Sequence, residues 1–187
     1  VVATQNITDP TLGPRGLDLM ASGLNAQEAL ERIRAEAKFL DYRQLALVDR
    51  DGNGAAFSGK NTLGTHRTVV AQDVVAAGNL LSSPAVPERM VEAFLGAAGT
   101  SLGARLIAAM TAAQAAGGEE GPVHSIGMLL VREVAWPVAD LRVDWHETDP
   151  IGELRRLWEL WEPQMDAYVA RGINPSAAPS YGVPGDE

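Results

Sequence analysis

Cysteine is absent from all 187 residues, which excludes disulfides, zinc–thiolate centres and thiol nucleophiles within this chain. Aromatic residues are scarce at 5%, and only three histidines occur. None of these, His66, His124 and His146, stands four residues from another, so no helix can present a paired-histidine metal site. No metal and no cofactor is expected. No apolar run reaches the roughly 18 residues that a membrane-spanning helix needs. There is no phosphate-binding G-x-x-x-x-G-K pattern, no G-x-G-x-x-G and no G-x-S-x-G elbow. Nucleotide binding and the α/β-hydrolase plan therefore have no local support. Basic residues are outnumbered, 15 to 24, for a net charge of −9. Such a chain repels phosphate backbones, so a nucleic-acid partner is not expected.

What remains is ordinary globular material. Hydrophobic residues make up 46% and charged residues 21%, which argues against disorder. The length suits one domain, expected over residues 1–171, followed by a Pro/Gly-rich tail over residues 172–187. The chain opens on Val1-Val2-Ala3-Thr4-Gln5, a β-branched start that reads as a strand already in progress. It carries no signal-peptide pattern, and the expectation is a cytoplasmic protein whose upstream segment is missing.

Helices and strands then alternate. A short helix is predicted over residues 15–22. Asn25 is a good cap for a second one, whose apolar stripe is Leu30, Ile33, Ala37 and Leu40, with a Glu28–Arg32 pair on its surface. Residues 43–50 and 55–58 read as a hairpin about Asp51-Gly52-Asn53-Gly54. Its Asp-rich start resembles a calcium loop, but Lys60 occupies the twelfth position, where a bidentate Glu is required. Residues 67–76, rich in valine, read as one further strand. Two helices follow, the second ended by Gly117-Gly118. Strands near 125–132 and 138–145 are too close for a parallel crossover and form a hairpin. A last helix begins near Pro150, and Pro163 should kink or restart it. Paired helices between blocks of antiparallel strands indicate an α+β fold.

Asp140, Arg142 and Asp144 share one face of a strand, with His146 continuing the line. The plain reading is a solvated ion-pair ladder. The sharper one is a polar row in which Arg142 holds a substrate carboxylate. Asn79, at the end of a β-rich stretch, can offer an amide to an oxyanion; a turn residue is the plain alternative.

Several strings together resemble one family. They are Val2-Ala3-Thr4-Gln5, Gly13-Pro14-Arg15-Gly16-Leu17-Asp18-Leu19, Ala77-Gly78-Asn79-Leu80-Leu81, Gln114-Ala115-Ala116-Gly117-Gly118 and residues 136–144. The family is the uncharacterised bacterial and archaeal one called domain of unknown function ten-twenty-eight. It is similar in fold to the N-terminal-nucleophile (Ntn) hydrolases. The resemblance implies a four-layer α-β-β-α sandwich of mainly antiparallel sheets, with N-terminal strands missing here. It also implies an amidohydrolase acting on a small amide or peptide-like substrate. Val1 has no nucleophilic atom, so the nucleophile would lie upstream of it. Asn79 would donate to the oxyanion, while His66, Arg142, Asp144 and His124 would contact substrate. His124 stands where relatives commonly carry Gln, and an Arg they carry nearby is replaced, which implies a different substrate choice. The alternative is a non-catalytic protein of the same fold that binds a small metabolite or acts as an interaction module. In either case the expected assembly is a homo-oligomer, a dimer, with the tail from Gly172 crossing to its neighbour and no membrane partner.

Overall fold

Apolar side chains at period two and period three to four sort this chain into seven strands and five helices, all within residues 1–183, which the computed structural model describes. In order they are β1 (Val2–Gln5), α1 (Leu12–Ala21), α2 (Ala26–Glu36), β2 (Gln44–Val48), β3 (Gly54–Ser58), β4 (Arg67–Ala71), β5 (Val74–Gly78), α3 (Val86–Gly96), α4 (Leu102–Ala115), β6 (Ile126–Leu130), β7 (Ala139–Val143) and α5 (Pro150–Ile173). The fold class is α+β. Its strands form one three-stranded sheet and two hairpins, all antiparallel. The chain divides into two compact units. The first holds Val1–Ser101 and Ala108–Pro122, and the second holds Leu102–Ile107 with the chain from Val123 onward.

In the first unit, β2 is the central strand of the sheet β1-β2-β3, with Thr4 opposite Leu45 and Ala46 opposite Ala56. Strand side chains alternate between faces. Leu45 and Leu47 therefore point together into a core with Leu12 and Leu19 of α1 and Leu30 and Ile33 of α2. Gln44 and Ala46 point the other way, toward the β4–β5 hairpin: the Gln44 amide reaches the Gly78 carbonyl at 3.0 Å. Gly54 permits this approach, because a Cβ there would lie 2.6 Å from Val75 and 2.7 Å from Val70. Helix α3 packs against β4 and β5.

Local chemistry explains the ends. Asn25 caps α2 in a capping box: its side chain accepts from the Glu28 N–H, and Glu28 accepts from the Asn25 N–H. Glu28 is thereby drawn away from Arg32, which pairs with Glu36 instead at 3.7 Å. The valine-rich stretch 67–76 is two strands rather than one. Gln72 and Asp73 turn it, with Asp73 at φ 65, a conformation Asp tolerates better than most residues. At the β2–β3 turn the Asp49 carboxylate accepts from the N–H groups of Ala26, Asp51 and Asn53 and from the Asn53 amide. Its oxygens are committed to the turn.

In the second unit, β6 and β7 pair with Met128 opposite Leu141. Met128, Leu130, Ala139 and Val143 form a core with Leu154, Trp158 and Met165 of α5. The Asp149 side chain caps α5 by accepting from the Gly152 N–H at 2.8 Å. Pro163 does not restart the helix, which runs through it to Ile173. Proline removes one helical hydrogen bond, to Glu159. Both residues lie on the exposed side, where water can replace it. After a short 3-10 turn, Pro175–Ala177, the chain folds back on its own helix. Arg171 lies 3.6 Å from the ring centre of Tyr181 and donates to the Pro179 carbonyl at 2.7 Å. The last four positions of the expected tail lie outside the described residues.

Among the described residues, no helix is long and apolar enough to cross a membrane.

Candidate functional site

Antiparallel pairing brings the ends of β1, β3 and β5 and the start of β2 to one edge of the first unit. The residue that binds them is Gln44, which is 0% exposed. Its carbonyl accepts from the Gln5 amide at 2.6 Å. Its own amide donates to Ser58 Oγ at 2.9 Å and to the Gly78 carbonyl. A buried amide is costly unless satisfied. This one is satisfied by three different strands, so it fixes where β5 ends.

Asn79 follows that end directly. Its side chain is half-buried and makes no hydrogen bond among the described residues. The backbone around it is held on both sides. Leu80 adopts φ 52, with its N–H on the Leu63 carbonyl at 3.0 Å and its carbonyl receiving the Glu120 N–H at 2.7 Å. Leu81 donates to Thr65 at 2.9 Å. Asn6 is also left-handed, at φ 60, and clamps the same loop: it donates to the Tyr42 carbonyl and accepts from the Leu63 N–H. Left-handed conformations at residues other than glycine persist only when the surroundings enforce them, and they concentrate at functional sites.

His66 belongs to this edge. Arg67 pairs with Gly78, so His66 and Asn79 stand at matching positions just past the hairpin's end. His66 Nδ1 lies 3.0 Å from the Gly64 carbonyl. A carbonyl only accepts, so Nδ1 is the donor in this contact.

Arg142, Asp144 and His124 lie in the second unit. Asp140, Arg142 and Asp144 line an open concavity of about 720 Å³ on the β6–β7 hairpin, together with residues 125–129. Arg142 donates through Nε and Nη2 to one oxygen of Asp144, at 3.3 and 3.0 Å. The hydrogen bond to Asp144, and then its charge, raise the Arg142 pKa, which leaves the guanidinium protonated as before. Both groups are well exposed, so water competes for this pair. His124 sits at the hairpin's end. Its ring donates from Nδ1 to the His146 carbonyl at 2.9 Å and stacks on Trp145, centroids 4.1 Å apart and planes 12° apart. His146 does not extend the polar row. The strand ends at Val143, and His146 Nδ1 instead accepts the N–H groups of Thr148 and Asp149 ahead of α5.

Two features of the candidate site escape sequence reasoning. Gln44 reads as the flank of an apolar strand, and nothing local shows that three strands converge on it. Arg43 has a buried Nε with no partner, which only packing reveals. The one local signal was the run of polar residues Gln5-Asn6 ending β1.

Residues 1–154 match the family model described as a family of unknown function, DUF1028. The chain belongs to the DUF1028 family. Among solved structures, this DUF1028 chain is similar to protein SPO2555 from Silicibacter pomeroyi, whose crystal structure carries the same family name. The two share 31% identity with a TM-score of 0.77, over 85% of this chain and 70% of that one. No curated protein gives a significant match.

Proposed function

We propose that this DUF1028 chain is the body of an Ntn-type amidohydrolase acting on a small amide or peptide-like molecule. The observation that carries the reading is the Asn79 amide: half-buried, unspent on the protein, and mounted on backbone locked by Gln44, Leu63 and Glu120. An oxyanion donor needs that combination, since a preorganised dipole stabilises developing charge without reorganising. The layering of the first unit supports the four-layer α-β-β-α plan. Helices α1 and α2 cover one face of the sheet, the β4–β5 hairpin meets the other, and α3 packs beyond it.

In this reading a hydroxyl on a residue ahead of Val1 attacks the substrate carbonyl, and its own α-amino group takes the proton. Asn79 Nδ2 donates to the carbonyl oxygen as it becomes anionic. The C–N bond then breaks, the amine leaves with the proton, and water hydrolyses the resulting ester. His66, whose Nδ1 is engaged by the Gly64 carbonyl, is placed to make a polar contact with substrate through Nε2. Arg142, Asp144 and His124 contact substrate only if it reaches the hairpin of the second unit.

The competing reading is a non-catalytic member of the fold that binds a small metabolite. The exposure of the Arg142–Asp144 pair favours it, because an open surface excludes little water. Intact mass and N-terminal sequencing of protein from its natural source, with an electrophilic acylating probe, separate the two. Hydrolysis requires Thr, Ser or Cys as the first residue, an adduct on it, and slowing of about 10²–10³-fold in Asn79→Ala. A different first residue, or no adduct, overturns it.

A further inference from the structure

Strand β7 is bonded on one side only. Its sheet contains two strands, and no other strand pairs with its outer edge among the described residues. Such an edge offers a row of backbone donors and acceptors to any second strand. On the open face Asp140 and Arg142 stand two residues apart; Arg142 bonds to Asp144, and Asp140 acts on it through charge alone, without a close ion pair among the described residues. Opposite Arg142 and Asp140 on β6 are Gly127 and Leu129, neither charged. The covered face of the same strand is Ala139, Leu141 and Val143, packed toward α5.

This pattern is self-complementary in one register. If two copies of β7 run antiparallel about a two-fold axis through Leu141, each Asp140 falls opposite the partner's Arg142. Leu141 meets the partner's Leu141, and Ala139 meets the partner's Val143. Opposite charges directly across a strand pair stabilise it, and like charges oppose it. The apolar face continues without a break across the axis. We infer that β7 is a dimerisation edge, where a second copy of this chain pairs antiparallel and joins the two hairpins into one four-stranded sheet. The contact is isologous, so each change on one copy acts twice. The inference stands independently of any catalytic chemistry, and it places the contact on the hairpin rather than on the tail, whose described part folds onto its own helix.

Sedimentation of the whole chain across a micromolar concentration series tests it. Wild type should dimerise. Asp140→Arg and Arg142→Asp, singly, should each weaken the dimer about tenfold, since two opposite-charge pairs become two like-charge pairs. The double swap should restore it. Because the chain has no cysteine, Leu141→Cys supplies one thiol per copy. Residues facing each other in antiparallel strands have Cα atoms about 4.5–5.5 Å apart, within disulfide reach. Mild oxidation should therefore give a covalent dimer faster than Leu17→Cys on α1 does by collision. A monomer at every concentration overturns the proposal. So does a dimer that the single reversals leave intact, or equal crosslinking at both cysteines.

Discussion

The two units treat their strands differently. In the first, the sheet β1-β2-β3 is covered on both faces, by α1 and α2 on one and by the β4–β5 hairpin on the other. In the second, the β6–β7 hairpin is covered on one face by α5 and is open on the other. The difference separates two kinds of polar residue. Gln44 and Asn79 sit on backbone that cannot shift without breaking bonds to several elements. Arg142 and Asp144 bond only to each other, in water. The first kind is held in one geometry, and the second is free to rearrange in water.

The largest effect should come from the single covered face of the second unit. Trp158 is 3% exposed at its centre, and Trp158→Ala should cost about 3–5 kcal/mol. Chemical denaturation measures it; a loss under about 1 kcal/mol would mean the hairpin is not held through that face. Next, Gln44→Leu should lose about 1–3 kcal/mol, because it strands the half-buried Gln5 amide and Gly78 carbonyl without their partner. Arg142→Ala, measured at concentrations too low for the chain to dimerise, should leave the unfolding midpoint unchanged. If the two variants behaved alike, the contrast between locked and solvated polar groups would fail.

The smallest effect is a pH dependence at Asp49. Desolvation at the turn pushes its pKa up, but the hydrogen bonds from Ala26, Asn53 and Asp51 outweigh it and hold the carboxyl below its ordinary value. A carboxylate with a depressed folded pKa stabilises the fold above its unfolded pKa, about 3.9, and loses that contribution as pH falls through the folded value. The melting-temperature gap between wild type and Asp49→Ala should be constant near neutrality and shrink below about pH 4. A gap that stays constant into acid would show that the charge plays no part.

Much of the element order was legible, because periodicity and caps are local. Asn25, the Asp51–Gly54 turn, Gly117-Gly118 and the β6–β7 hairpin all announce themselves within a few residues. The Gln72-Asp73 turn did not, since it uses a left-handed Asp where glycine or asparagine is the usual sign. Pro163 misled for the opposite reason: its rule concerns a lost hydrogen bond, and the exposed side of a long helix can spare one. At the candidate site, Asn79 was visible from its place after a β-rich stretch. Its neighbours were not.

By itself, then, the amino-acid order determined membership of the DUF1028 family, the α+β class and most strands and helices. Those follow from motifs and from which side chains recur on one face. Tertiary structure alone decided that Gln44 is buried and shared by three strands, and that Asn6 and Leu80 are both held against Leu63. Each depends on the register between segments far apart in the chain, and register is set by packing against a common core, which no local pattern encodes.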